Sequence, residues 1–219
     1  MAPWWLKRLF YWALRAPMWI NGRIYRWWRQ PADPICVHLG PGKGRYIRGW
    51  LNLDANLLTA RIDLWANLMD PLPFRDNSVA LFYSHHVVEH LPDRRLHVHF
   101  REMFRALVPG GGIRIGGPDT GAACARYLAG DLDWFSTYPT PRHSIGGRLA
   151  NFIFCNGEHL TALSESYLRE LAEAAGFTDI RRMLPCRESG LVGREVLDLE
   201  YENDFVNPHT VIIEARKPR

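Results

Sequence analysis

Three groups of residues in this chain have types and spacings that chemistry uses. The first lies in VHLGPGKGRYIRGWLNLD, Val37 to Asp54. Gly40, Gly42 and Gly44 follow a short apolar run, and Asp54 closes the next one. Glycines let a backbone turn left-handed and lie close to a ligand. An acid at a strand end can accept hydrogen bonds from a pair of hydroxyls. The spacing is not GxGxxG, and the GK[ST] ending of a phosphate loop is missing. Only the six residues Arg45–Trp50 separate Gly44 from the next apolar run. A helical crossover needs about a dozen residues, so the first helix is expected to be absent or one turn long. Without a helix N-terminus there is little to hold a pyrophosphate.

The second group ends the apolar run SVALFYSH (78–85) and comprises Ser84, His85 and His86. The third is scattered: Asp119 at the end of GIRIGGPD, then His143, Glu158 and His159 within 130–163. An imidazole beside a carboxylate makes a general base with its orienting partner. Asp119, Glu158 and His159 are alternatively expected to hold a divalent cation such as Mg²⁺. The other histidines promise less. His38 is expected to be satisfied inside its strand, Glu89 and His90 to open a helix, and His97 and His99 to be solvated. His209 carries no signal.

Elements must bring these groups together. Strands are expected at Ile35–Leu39, Trp50–Leu53, Ala60–Leu64, 78–85, 112–119, 179–184 and 209–217. A helix is expected over 92–107, with Leu96, Phe100, Met103, Phe104 and Leu107 on one face, stopped by the glycines of PGGG. Another is expected over 165–175, capped by Ser164 and ended by Gly176. Such alternation implies an α/β fold with a mainly parallel sheet. Ligands then sit beyond the C-terminal strand ends, where all three groups fall. A ligand without phosphate anchoring, a ribose acid and a glycine cradle together suggest S-adenosylmethionine (SAM).

The chain has 219 residues, enough for one sizeable domain. Its four cysteines include no CxxC pair, so no zinc or disulfide framework is expected, and a reducing, cytoplasmic setting is. Residues 1–30 hold six basic side chains, no acid, and six of the nine tryptophans. The remainder holds 21 basic and 23 acidic residues, which argues against nucleic acid as partner. The longest uncharged internal run of the N-terminal segment, Ala16 to Gly22, is seven residues, against about 20 for a membrane span. Its tryptophans are expected to pack on the domain or on a second subunit while its arginines face water. The competing expectation is a membrane interface.

Four ordered blocks resemble the class I SAM-dependent methyltransferases: HLGPGKGRYIRGWLNLD, DPLPFRDNSVALFYSHHVVEHL, REMFRALVPGGGIRI and SYLRELAEAAGF. The short crossover before GWLNLD is similar to a small bacterial branch associated with polysaccharide and surface-glycan biosynthesis, including sugar O-methyltransferases of the methylmannose polysaccharide type. The resemblance implies a Rossmann-like seven-stranded sheet, order 3-2-1-4-5-7-6, with strand 7 antiparallel. It assigns Gly40, Gly42, Gly44, Asp54, Ser84 and His85 to SAM. It sets Asn67 and Leu68 at the adenine, where the family more often has Asp. The expected organisation is an aromatic, basic helical segment (1–34) and a methyltransferase domain (35–219) whose insertion at 130–163 forms the acceptor site.

The expected activity is methyl transfer to a hydroxyl of a sugar or glycan precursor. His86, His143, His159, Glu158 and Asp119 are the catalytic candidates. A homodimer is expected, with a membrane or glycosyltransferase contact through residues 1–30. Small-molecule N- or O-methyl transfer and a non-catalytic SAM-binding role are the alternatives. An NAD(P)-dependent oxidoreductase is disfavoured by the short first crossover.

Overall fold

The structure is a computed structural model and describes residues 10–58 and 60–219. Trp4, Trp5, Lys7 and Arg8 of the basic segment lie outside the described residues.

Seven strands form one sheet: β1 Ile35–Leu39, β2 Leu51–Asp54, β3 Leu64–Trp65, β4 Val79–His85, β5 Leu107–Pro118, β6 Thr178–Met183 and β7 Thr210–Arg216. Their order is β3-β2-β1-β4-β5-β7-β6. β7 runs antiparallel to β5 and β6, and the other neighbours are parallel. This is the expected topology. The chain passes from β1 to β2 through turns alone, so the first crossover helix is indeed missing. β5 starts at Leu107, earlier than expected, because the PGGG glycines enter the sheet. A Cβ at Gly111 would lie 2.9 Å from the carbonyl oxygens of Ala80 and Val108.

The helices are α1 Arg15–Ile24, extended by a π-helical turn over Tyr25–Arg29, then α2 Asp93–Ala106, α3 Thr120–Leu128, α4 Ile145–Phe154, α5 Glu165–Ala175 and α6 Arg194–Leu197. α2 and α5 cover one sheet face. Leu96, Phe100, Met103, Leu168 and Leu171 meet Val37, Leu39, Phe82, Ile113, Ile115 and Ile213 there. His99 is buried with this face rather than solvated, because it stands three residues from Leu96 and four from Met103. Burial pushes its imidazole down to about 4, with Glu102 opposing part of the effect.

The opposite face is unusually polar. It presents Tyr83 and His85, which stack on one another, and the fully buried Arg114. Arg114 Nε lies 2.7 Å from Glu200 Oε1, and Nη1 lies 2.8 Å from Glu214 Oε1. Burial works against the guanidinium charge, but the two carboxylates outweigh it and raise its affinity for the proton.

α1 docks at the β3 edge through residues other than its tryptophans, which do not pack on the domain, while Arg15, Arg23 and Arg29 face water as expected. Met18 and Gly22 are buried, and Tyr25 packs edge-on against Phe74. Arg15 pairs with Asp70, and Asn21 Nδ2 donates to the Trp65 carbonyl at 2.8 Å. Trp12, Trp19, Trp27 and Trp28 are exposed. Positions 18, 22 and 25 share one helical face, which turns the tryptophans outward.

Candidate functional site

The glycine turn leaves β1 under tight local control. Asn52, fully buried on β2, accepts from Ile47 N and donates to the carbonyls of Ile47 and Trp50. Its Oδ1 also lies 3.3 Å from His38 Nδ1, so His38 is satisfied by a neighbouring strand. In the sequence a lone Asn between two leucines gives no signal of this role. Gly42 and Gly44 have φ of +53° and +82°, and no atom lies within 4 Å of where their Cβ would stand. Gly40 serves packing: its Cβ would lie 2.5 Å from Val87 Cγ2. Asp54 Oδ2 accepts from Gly42 N at 3.2 Å, and Oδ1 accepts from Asn56 N at 2.9 Å. Each oxygen keeps a second lone pair. Asn67 Oδ1 accepts from Met69 N, and half-buried Leu68 packs on the core.

The end of β4 holds polar atoms with unmet needs. Ser84 Oγ and both ring nitrogens of His85 are buried without a hydrogen bond. Burial first, then neighbouring His86, keeps His85 well below its ordinary value and therefore neutral. His86 leaves the strand at a left-handed φ of +56°. Its Nε2 lies 3.2 Å from Thr210 Oγ1, and its Nδ1 lies 3.3 Å from Glu89 Oε1. Burial disfavours the Glu89 charge, but His86 and His90 outweigh it and hold the carboxyl below its usual range.

The scattered third group is regrouped by the fold. Asp119 caps α3 by accepting from Ala122 N, and its other oxygen takes Arg182 Nη2 at 3.0 Å. It borders a cleft with Ser164, Glu165, Arg169 and Arg182, which shares no residue with the glycine turn. His143 is exposed just before α4, and Glu158 is exposed. His159 meets His90 edge-on, with ring centroids 5.1 Å apart. Among the described residues, the donor atoms that cluster within 4.8 Å belong to Glu89, His90 and His159, not to Asp119, Glu158 and His159. Glu89 and His90 form a short helical turn, as expected, and also approach His159. They lie about 70 residues from His159 in the chain, and only the docking of 158–161 on 89–91 joins them. Leu160 N and Thr161 N both donate to the Glu89 carbonyl.

His209, silent in the sequence, stacks on Trp134 at 4.3 Å and contacts Glu202 Oε1 at 2.9 Å. Burial opposes its charge, but Glu202 outweighs it and raises its pKa. Trp134 is buried with Phe135 and Ala123, Phe152 packing against them, so it fills the interior of the 130–163 segment (the lid), whereas Tyr138 and Phe154 are exposed.

Residues 51–115, from β2 to the middle of β5, match the model of a family described as a methyltransferase domain. A SAM-dependent methyltransferase from Archaeoglobus fulgidus shares its fold at 15% identity, with a TM-score of 0.53 over 98% of this chain and 100% of that one. One from Thermotoga maritima is similar at 16% identity and a TM-score of 0.53, over 98% and 96%. A third, from Methanosarcina mazei, gives 17% and 0.50, over 86% and 94%. No curated protein matches the chain. The expected enzyme class agrees with the family match, and the expected cofactor with the SAM dependence of the neighbours from Archaeoglobus fulgidus and Thermotoga maritima. Among the described residues, no helix is long and apolar enough to cross a membrane.

Proposed function

We propose that this protein is a SAM-dependent O-methyltransferase acting on a hydroxyl of a sugar or a glycan precursor. The observation that carries the reading is the convergence at neighbouring strand ends of an open glycine turn, Asp54, and the His86–Glu89 pair. The cradle suits SAM. The space beyond Gly42 and Gly44 lets a ligand lie against main chain. The second lone pairs of Asp54 would accept from two ribose hydroxyls. Asn67, whose Oδ1 accepts from Met69 N, would have its side-chain amide left for the adenine, and Leu68 would give an apolar wall. Ser84 Oγ supplies a buried polar atom in need of a partner.

SAM, when bound, supplies an electrophilic sulfonium methyl. The chain must align an acceptor with it and receive a proton. Alignment alone contributes several kcal/mol. A sugar hydroxyl is a weak acid, so a base helps. Glu89 faces His86 Nδ1 and favours the tautomer that keeps that proton, leaving Nε2 to accept. In that tautomer Thr210 Oγ1, 3.2 Å from Nε2, would donate to it and would yield its place to the acceptor. His159 lies on the lid side of Glu89. The sugar is supported by this base beside a lid with exposed aromatic side chains, Tyr138 and Phe154, and by the sequence resemblance.

The test is turnover of labelled SAM with a panel of mono- and oligosaccharides. His86→Asn is expected to lower turnover by about 100-fold or more, with affinity for S-adenosylhomocysteine (SAH) kept within a factor of two or so of the parent. Full activity in that variant removes His86 as base. Methylation of amines but of no sugar overturns the acceptor class.

A further inference from the structure

We propose that Glu89, His90 and His159 form a binding site for one divalent transition-metal ion. Two histidines and one carboxylate, with positions left open, make a recognised metal-binding set. Two observations besides their proximity support it. His90 Nδ1 lies 2.9 Å from the Glu158 carbonyl, and His159 Nδ1 lies 3.2 Å from the Ile153 carbonyl. Both rings are thus held by main chain through one nitrogen, with Nε2 left for an ion, the outer-shell arrangement that metal-binding histidines use. Glu89 is buried, and neither of its oxygens makes a hydrogen bond. His86 Nδ1 stands 3.3 Å from Oε1, outside good hydrogen-bond geometry but close enough to steady the carboxylate. Finally, the donor atoms lie within 4.8 Å of one another. Bonds of about 2.0–2.2 Å to a single ion need a closure on the order of an ångström, which a half-buried His159 and an exposed His90 can make.

The donor set decides the metal. Imidazole nitrogens suit Mn²⁺, Fe²⁺, Co²⁺ or Zn²⁺, whereas Mg²⁺ and Ca²⁺ prefer oxygen shells. The site therefore differs from the oxygen-rich Asp119, Glu158 and His159 grouping in both residues and ion. Its role, though not its existence, rests on the methyl-transfer reading. A cation beside His86 would bind an acceptor hydroxyl, or two neighbouring ones, and lower the hydroxyl pKa.

The experiment is a spectroscopic titration of the full chain with Co²⁺ after dialysis against EDTA, with SAH binding measured in parallel. One saturable Co²⁺ per chain is expected, with visible bands of imidazole coordination. The double variant His90→Ala/His159→Ala is expected to bind Co²⁺ at least 10-fold more weakly while its far-ultraviolet circular dichroism stays as in the parent. His86→Ala is expected to weaken it about 10–100-fold, the range for an outer-shell partner. Absence of saturable Co²⁺ binding, or binding that the double variant leaves unchanged, overturns the site. Co²⁺ binding that passes both variants in a chain that fails to bind SAH keeps the site and removes the methyl-transfer role.

A separate observation carries a second inference. We infer that the outer face of α1 and its π-helical turn rests on an anionic phospholipid surface. Trp12, Trp19 and Trp27 form one exposed row, with Ile20, Ile24 and Trp28 beside it. Arg23 lies 5.4 Å from the Trp19 ring and 5.9 Å from that of Trp27, and Arg26 lies 5.5 Å from Trp27. Residues 1–30 hold no acid. Tryptophan favours the headgroup level of a bilayer, and interleaved arginines match anionic lipid.

Cosedimentation with vesicles of phosphatidylglycerol and phosphatidylcholine tests it. Binding is expected to exceed that to pure phosphatidylcholine by 10-fold or more and to weaken with salt. Trp19→Ser/Trp27→Ser should abolish it. Equal or absent binding to both vesicles overturns the inference. So does a dimer in ultracentrifugation that the same double variant dissociates, since a second copy would then cover the ridge.

Discussion

Asp54 does local work before any ligand arrives. Its two oxygens hold Gly42 N and Asn56 N, so one carboxylate fixes the glycine turn and the next loop together. The sequence shows that acid and those glycines plainly, because they are close along the chain. The pairing of His90 with His159 was hidden, since no local pattern links positions so far apart. His99 carries a consequence for pH. Its folded-state value of about 4 lies below the ordinary value of 6.5, so the unfolded chain takes up the proton first. The stability it leaves intact is complete above pH 6.5 and is lost as pH falls toward 4. At pH 5 the loss is about 2 kcal/mol. His38, also pushed down to about 4 by burial, acts in the same direction. Thermal unfolding at pH 5 and 7 should show the fall, and His99→Leu should reduce it. An unchanged pH dependence in that variant would mean that His99 titrates normally.

At the scale of elements, legibility followed capping and periodicity. α5 carried both: Ser164 Oγ accepts from Tyr167 N, and Gly176 ends the helix at φ +100°. Alanine at Gly176 would be strained, and its Cβ would lie 3.0 Å from Phe104 Cζ. Gly176→Ala should cost about 1–3 kcal/mol, read from denaturant midpoints; a neutral effect would show that the helix end can relax. α4 was illegible because its first turn contains Gly146 and Gly147, poor helix formers, although Ser144 caps it by accepting from Gly147 N. α3 begins TGAA, too short of large apolar residues to show a stripe. β3 is two residues long, below what a hydrophobic pattern can specify. The N-terminal helix showed its composition but not its orientation, because tryptophan and methionine compete for the same apolar role. Met18, Gly22 and Tyr25 occupy the contact.

At the scale of the molecule, the sheet order brings the ends of β1, β2 and β4 together, and the missing first helix leaves the glycine turn open. The polar sheet face compensates with the Arg114–Glu200–Glu214 network. Nothing in the run GIRIGG distinguished a buried, paired arginine from a solvent-facing one, since its partners lie 86 and 100 residues away. Removing one partner strands a buried charge. Glu200→Ala should therefore cost about 3–5 kcal/mol, measurable by chemical unfolding. A loss under ~1 kcal/mol would mean that water reaches the guanidinium and the pair is weakly held.

The central claim is that the turn at Gly42 and Gly44 together with Asp54 holds SAM. Calorimetric titration with SAH, with NAD⁺ and NADP⁺ as controls, tests it most directly. Saturable binding of SAH alone, weakened about 10-fold or more by Asp54→Ala, is the expected result. A folded chain that ignores SAH, or that binds it equally well without the Asp54 carboxylate, would contradict the account.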